Sequence, residues 1–592
     1  MSSGGSGTVD SITFEIVRNS FMAVCAEMAL VVSKTAYSPP INEGKDFAGT
    51  VSDADGNLVA QSEFDLPAFV GLGMFTVKEV ISQVGLAAME PGDIFMINDP
   101  YVASTHCNDV HFIKPVFYGA ERVAFVESTA HWTDVGGPIP SSLNSRATSH
   151  FEEGLRIPAV KIYERGEIRQ DVLDLILANM REPWERMGDL NAQCSALRTG
   201  DARIQRMCQK HGTAVVRTVQ AEMQNHSEQL IRATLRDLPD GIYEAEDQND
   251  QDFSTGLPVT FRVKLSIDGD HMTFDLTASD DAAGSAINTS IVATTSSIFN
   301  AIGSVLPPIP MNAGVLRAVE IKARPGSICH AQPPRAVSTQ GTSMEIIIAA
   351  ATAALSQALP ERGSGTCSTV LNTAYAGYDE RPGFETFFLE YVWAVGGMGG
   401  TKYKDGSNVV GSAWAATIQN IPVELQERRF PLFWRRNMLL PDSAGSGRCR
   451  GGLALEQICE FVFQGGTLTN FGNRERVGPP GVFDGRRGAT AGLVLNQGTE
   501  RERAVGLVAS NVPVSRGETL RYWSAGGGGY GDPLERDPRR VLDDVRDDYV
   551  SIGAAREEYG VVVHEIDRRT LQYAVDERAT AQLRAQLRAE QP

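Results

Sequence analysis

Apolar positions recur along this chain with two different periods, and the switches between them mark its elements. Ile12, Ile16, Phe21, Val24, Met28 and Val31 fall at near-helical spacing, and Asp10 can cap the first turn, so a helix is predicted from about 10 to 37. Two short apolar runs, 47–52 and 58–61, flank the turn sequence DADGN and predict a hairpin. A helix follows at 74–84 and a short strand at 93–97, ended by Asn98-Asp99-Pro100. Residues 166–236 are good helix formers without heptad order, which predicts charged surface or interface helices.

From about 242 the pattern changes to strand alternation punctuated by turns such as Ile267-Asp268-Gly269-Asp270. Helices are expected at 297–305 and 344–358. Between 361 and 535 the chain is rich in Gly, but apolar strand segments keep interrupting it, which predicts closely packed strands and long loops. Four consecutive Gly in 525–533 require tight turns or close backbone approach. A place at a subunit junction or over the active site is one expectation for this loop, and an ordinary strand-to-helix connection is the other. The last stretch, 539–587, reads as charged helices that dock as a tail. The expected fold class is α+β and multidomain, with mixed sheets, long helices in the N-terminal third and a Gly-rich, β-rich C-terminal half. The expected division is a disordered tail at 1–9, an N-terminal α/β region at 10–240 with a metal site and a helical segment, a β-rich region at 241–535, and a charged helical segment at 536–592.

The bulk properties narrow the function classes. A length of 592 residues suits roughly three to four domains. The net charge of −19 argues against nucleic acid and against an anionic membrane surface, since both need a basic stripe and no Lys/Arg run supplies one. No uninterrupted apolar run reaches the ~18–20 residues of a spanning helix. The start, MSSGGSGTVD, has neither the basic nor the apolar region of a signal peptide. The eight Cys are scattered without ribbon or redox spacing, so reduced thiols in a cytoplasmic protein are expected.

One segment carries candidate chemistry. Three of the nine His (His106, His111 and His131) fall between 98 and 137. His106 and Asp109 are three apart across a Cys-Asn turn. Strands expected at 110–117 and 123–130, joined by Gly119-Ala120-Glu121, bring His131 back beside them. Imidazole and carboxylate donors suit Zn²⁺ or Mn²⁺, and the lack of a Cys-x-x-Cys pair points to a site with open positions. Alternatively these groups only cap and hydrogen-bond a polar hairpin. His111, second residue of the strand beginning at Val110, points to the opposite face from Val110 and is not expected to contribute. DADGN departs from a calcium loop in its Gly position. GGMGGTK lacks the ending of a phosphate loop, and no Gly-x-Ser-x-Gly elbow is present.

Landmarks spread over about 10–580 resemble the hydantoinase B/oxoprolinase family. They include EIVRNSFMAVCAEM, SKTAYSPPINEGKDFA, PGDIFMINDPY, THCNDV, AHWTDVGG, FEEGLRIPAVKI, PMNAGVLR, NIPVELQE, DSAGSGRCRGGLAL and GGGGYGDPLERDPRRVLDDV. The resemblance implies one subunit of a larger hetero-oligomer, working with a hydantoinase A-like subunit that binds ATP and Mg²⁺. It implies a small-molecule substrate, with either the opening of cyclic amides (hydantoins, 5-oxoproline, lactams) or the carboxylation of ketones. In the first reaction the partner phosphorylates the amide oxygen and the metal, Zn or Mn, activates the attacking water. A scaffold with a decayed site is a third reading. The resemblance maps metal ligands onto Asp46, His106, Asp109 and His131, and catalytic roles onto His131 and Asp134 of the A-H-x-x-D motif. The chain departs from the family where members read G-G-T-H-L-P-D: here Ala103-Ser104-Thr105-His106-Cys107-Asn108-Asp109 stands. Val315 replaces the usual Cys of N-A-G-C. These departures bear on substrate specificity more than on the metal.

Overall fold

The computed structural model describes residues 9–590. The expected tail at 1–9 lies outside the described residues apart from Val9. The chain divides into two compact units, one made of the residues up to Glu244, Arg262–Gln340 and Thr417–Gln419, the other of Ala245–Phe261, Gly341–Ala416 and Asn420 onward. Residues 262–340 thus group with the N-terminal region, and the C-terminal helices group with the Gly-rich strands. Composition places breaks at 241 and 536 because alternation reveals an element's type, not its packing neighbours.

The first unit is built on α1 (Ser11–Thr35), α2 (Pro39–Asn42), β1 (Phe47–Asp53), β2 (Leu58–Gln61), α3 (Gly73–Val84), β3 (Ile94–Ile97), β4 (Asp109–Tyr118), β5 (Glu121–His131), β6 (Val160–Glu164), β7 (Glu167–Ile168), α4 (Gln170–Leu177), α5 (Pro183–His211) and α6 (Thr213–Arg236). The seven strands form one antiparallel sheet in the order β2-β1-β5-β4-β3-β6-β7. Asp10 caps α1, accepting from Ile12 N and Thr13 N. Val110, Phe112 and Val116 share one core with α1 and α5. Ile113 and Phe125 pack on the other face with Val77 and Val80 of α3. Odd-numbered positions of β4 therefore belong to the α3 face.

Two expectations need correcting here. The helices of 166–236 are not all surface helices: α5 buries residues along its whole length against α1 and the sheet. Its charges are hidden because they satisfy one another, Arg186 lying 2.5 Å from Glu185 and 3.1 Å from Asp189. Gly188 gives the close approach, since a Cβ there would sit 2.2 Å from the Tyr37 ring. Second, α1 has the length and mean hydropathy to cross a membrane. Val17, Phe21, Val24, Met28 and Val32 of that helix lie instead in the core shared with α5 and the sheet.

In the second unit, strands Leu371–Asp379, Thr386–Ala394, Gly466–Phe471 and Ala509–Val514 form a four-stranded sheet. A five-stranded sheet is centred on Ala454–Phe461 and Thr519–Trp523. The four Gly at 526–529 make no turn. None has a positive φ, and a Cβ at each would lie 1.7, 2.0, 2.0 and 2.1 Å from a neighbouring carbonyl oxygen. Their N–H groups donate in turn to Ala489, Gly452, Thr366 and Arg486. Gly526 and Gly529 reach the same neighbour, 486–489, and the two between reach others. That three-residue rotation is polyproline II geometry, with bare backbone packed against bare backbone. The C-terminal part is not wholly helical, because the hairpin Val563–Asp567/Gln572–Val575 interrupts it.

Candidate metal centre

The hairpin register builds the site. Asp109 of β4 stands directly opposite His131 of β5. Phe47 of β1 stands opposite Ala130, and His131 N donates to Asp46 O at 3.1 Å, so Asp46 continues that ladder one step further. Asp46, His131 and Asp109 are thus abreast at the ends of three adjacent strands. Opposed side chains on one sheet face lie ~5 Å apart, within reach of one ion. His106 comes from the turn before β4, whose N–H bond from Asp109 to the His106 carbonyl closes it at 3.2 Å.

Among the described residues, His106, Asp109 and His131 offer ligand atoms all within 4.8 Å of one another, and all three are buried. His106 Nδ1 lies 3.1 Å from Asp109 Oδ2, and His131 Nδ1 lies 3.4 Å from Oδ1. The two rings are 4.9 Å apart between centroids. Asp46 is outside that group but close enough to feel it. Burial, and then the charge of Asp109, push its carboxyl well above the ordinary range. Burial pushes Asp109 the same way, but His106 and His131 outweigh it and hold the carboxyl below its usual value. Burial pushes His131 down to about 4, which leaves a neutral imidazole at pH 7. An ionised carboxylate beside a neutral imidazole is a donor set that a divalent cation accepts. His106 Nδ1 is buried and faces Asp109 Oδ2 without the alignment of a hydrogen bond, an arrangement compatible with a ligand nitrogen.

Supporting contacts orient Asp109. The Thr105 hydroxyl donates to Asp109 Oδ2, and Gln340 Nε2 donates to Thr105 Oγ1 at 2.7 Å. Ser104 Oγ donates to the carbonyls of His106 and Asp109, both at 2.9 Å. Ser104, which stands where family members have the second glycine, therefore supplies hydrogen bonds that glycine lacks, while Thr105 matches the family pattern. Cys107 is buried, and burial raises its thiol well above the ordinary range.

Asp134 is placed differently from the other candidates. It is fully buried and accepts from Arg181 Nη1 at 2.7 Å, Arg181 N at 3.1 Å and Gly136 N at 3.2 Å. Its carboxylate holds a loop, and it is not in the ligand group. His111 is on the Asp109 face yet turned to other partners: Nδ1 lies 2.8 Å from Glu127 Oε1 and 2.7 Å from Thr129 Oγ1. Two residues that sequence reasoning passed over also belong here. Gln340 arrives from 231 positions beyond Asp109 and leaves no local signal. Glu153 lies inside the landmark FEEGLRIPAVKI, where its burial could not be read.

Comparison with known proteins places the chain in a family. The model of the hydantoinase B/oxoprolinase family matches residues 10–533. The chain belongs to the hydantoinase B/oxoprolinase family. Similar members include the beta subunit of the caprolactamase of Pseudomonas jessenii, 32% identical over 94% of this chain and 97% of that protein. The B subunit of a putative D-/L-hydantoinase of Pseudomonas sp. (strain NS671) is 29% identical over 94% and 97%. The crystal structure of the ATP-dependent caprolactamase from P. jessenii superposes with a TM-score of 0.88 at 30% identity, covering 98% of this chain and all of that one. A nucleotide-free acetone carboxylase structure gives a TM-score of 0.89 over 98% of this chain and 83% of that chain. At 21% identity that likeness is one of fold.

Proposed function

We propose that this protein is the metal-bearing subunit of an ATP-dependent complex that opens cyclic amides, acting with a hydantoinase A-like subunit that binds ATP. The likeness to caprolactamase over nearly the full length of both chains carries this reading. The buried His106–Asp109–His131 group, with Asp46 beside it, supplies a place for the chemistry. These residues would hold a divalent ion, zinc or manganese by donor type. When bound there, the ion supplies Lewis-acid polarisation of an oxygen.

This chain's own residues do the rest. Asp109 stays ionised because two imidazoles face it, and Thr105 fixes its orientation. His131 stays neutral because burial opposes its protonation. A dication at the group favours the ionised form of Asp46, which burial and the charge of Asp109 otherwise disfavour. The buried surroundings exclude bulk water from the reacting amide and strengthen each polar contact. An unactivated amide is a poor electrophile, and phosphorylation of its oxygen by the partner makes it a good one.

The test is a co-expressed complex with the ATP-binding subunit, assayed with ATP on 5-oxoproline, hydantoin and caprolactam. ATP-dependent ring opening of at least one is expected. Turnover of a ketone with bicarbonate, and none of these rings, would replace this reading with the carboxylase one.

A further inference from the structure

Glu153 is 1% exposed, and its two oxygens have different fates. Oε1 accepts from the backbone N–H groups of Val337 and Ser338 at 2.6 and 2.5 Å. Oε2 is buried and makes no hydrogen bond, and no Lys or Arg among the described residues pairs with the carboxyl. Fixing two amides needs one acceptor oxygen, which a Gln would supply equally well. Leaving the second oxygen bare costs about 1–3 kcal/mol, so a purely architectural role does not explain a carboxyl here.

The chain around Glu153 is tied to the metal centre twice. Asn98 Nδ2 bridges Cys107 O at 2.6 Å and Leu155 O at 3.0 Å, and Asn98 Oδ1 accepts from Ile157 N at 2.6 Å. The segment carrying Glu153 therefore runs alongside the turn carrying His106. On the other side, the 337–340 segment that grips Oε1 also sends Gln340 to Thr105, which holds Asp109. Glu153 and the ligand group are thus linked by two hydrogen-bonded routes, and the Glu153 carboxyl feels the charge of His106.

We propose that Glu153 is the acid–base residue of this centre, with Oε1 anchored by backbone amides and Oε2 exchanging a proton with the substrate. This rests on the cyclic-amide reading above. With its oxygen phosphorylated, the amide is a cyclic imidate. As water adds to that carbon, a C–O bond forms, the C=N π pair moves onto the ring nitrogen, and Oε2 takes a proton from the water and passes it to that nitrogen. As the C–N bond breaks, its electron pair stays on the nitrogen, the new hydroxyl becomes the carbonyl, and Oε2 carries the hydroxyl proton to the leaving amine. The open-chain acyl phosphate that remains is hydrolysed by a second water, whose attack releases phosphate. One carboxyl thus serves as base and then acid in each transfer. Burial pushes the Glu153 carboxyl up to about 7, opposed by the bonds from Ser338 and Val337 and by His106. A group poised near neutrality is suited to both halves of the exchange.

Glu153→Gln keeps the acceptor for Val337 and Ser338 but cannot carry the proton. In the co-expressed complex with ATP and 5-oxoproline, hydantoin or caprolactam, kcat should fall by about 100-fold or more. Metal content and melting temperature should hold, and the limb of the kcat–pH profile near 7 should disappear. Ring opening within about 3-fold of wild type, with that limb intact, would overturn the proposal. So would loss of metal from Glu153→Gln, which would make Glu153 part of the metal scaffold. A Glu153→Ala complex that fails to assemble beside an assembled, inactive Glu153→Gln complex would agree with the proposal. A wild-type complex inert on all three rings sinks the cyclic-amide reading and this inference with it; an active wild type beside an active Glu153→Gln sinks the inference alone.

Discussion

Asp109 and His131 are register partners across the β4–β5 hairpin, and their side chains meet at 3.4 Å. A hairpin fixes such a pair by the length of its turn, so the site is preformed by the sheet and does not depend on a mobile loop. His106→Ala should therefore remove one ligand while leaving the hairpin in place. Elemental analysis of wild type is expected to find a divalent ion, and His106→Ala to lose most of it. Equal content in the two proteins would refute the site.

His111 provides the internal control. It shares the sheet face of Asp109 but is committed to Glu127 and Thr129, and both His111 and Glu127 are buried. His111→Ala should keep the metal and cost about 3 kcal/mol of stability, because it strands a buried carboxyl. Metal content and a urea midpoint measured on the same sample separate the two effects. Loss of metal with stability unchanged would be the wrong way round.

Gln340 acts on the centre at one remove, through Thr105 to Asp109. Partners of this kind orient a ligand and typically change metal affinity 10–100-fold. Gln340→Leu should weaken metal binding by about 10-fold or more in a chelator competition. The melting temperature of the metal-free protein is the control. A shift in the metal-free melting temperature with unchanged affinity would show that Gln340 merely fills space.

Much of the first unit is legible in the chain. The hairpin around His106, Asp109 and His131 follows from strand length, turn length and the period of two, all of which are local. Asp46 comes from resemblance, and the register of Phe47 with Ala130 gives the physical reason for its place. What cannot be read depends on distant pairing. Glu153 and Gln340 matter only because the 337–340 segment lies against both the hairpin turn and residue 153. The burial of α5 is hidden for a related reason: Arg186, Glu185 and Asp189 look like surface charges until they are seen to neutralise one another. Asp134 sits in a motif the family shares, yet its carboxylate is taken up by Arg181.

The Gly run at 526–529 implies close backbone approach, and the structure shows what it approaches. A Cβ on Gly527 would meet Met398 O at 2.0 Å, and one on Gly528 would meet Pro480 O at 2.0 Å. Both neighbours are backbone and cannot swing aside. Gly527→Ala and Gly528→Ala should each destabilise by about 3 kcal/mol or more, at the upper end of overpacking costs. Thermal unfolding of the isolated chain measures this. Loss of complex activity with an unchanged melting temperature would instead assign the loop a functional role.

A buried carboxyl in the second unit predicts how stability varies with pH. Glu345 accepts from Val370 N at 2.9 Å and from Ser412 Oγ at 2.7 Å, with 4% of its surface exposed. Burial pushes its carboxyl from an ordinary 4.5 up to about 8, against the Ser412 and Val370 bonds and the field of Arg474. The folded chain thus keeps a proton that the unfolded chain releases at about pH 4.5. The associated stability is fully present below the unfolded value and is lost as pH rises through the folded one. Between about pH 6.5 and about pH 8.5 this one group should lower stability by about 2 kcal/mol. His131, whose shift has the opposite consequence, acts below that window, since its buried imidazole is already neutral there. Glu345→Gln keeps the acceptor for Val370 N and has no proton to lose. Urea midpoints of the metal-free protein across this range should fall less steeply in Glu345→Gln than in wild type. Glu153, raised to about 7, contributes the same slope to both proteins and cancels in the comparison. Parallel slopes would mean that Glu345 is ionised in the folded chain and that its two donors outweigh its burial.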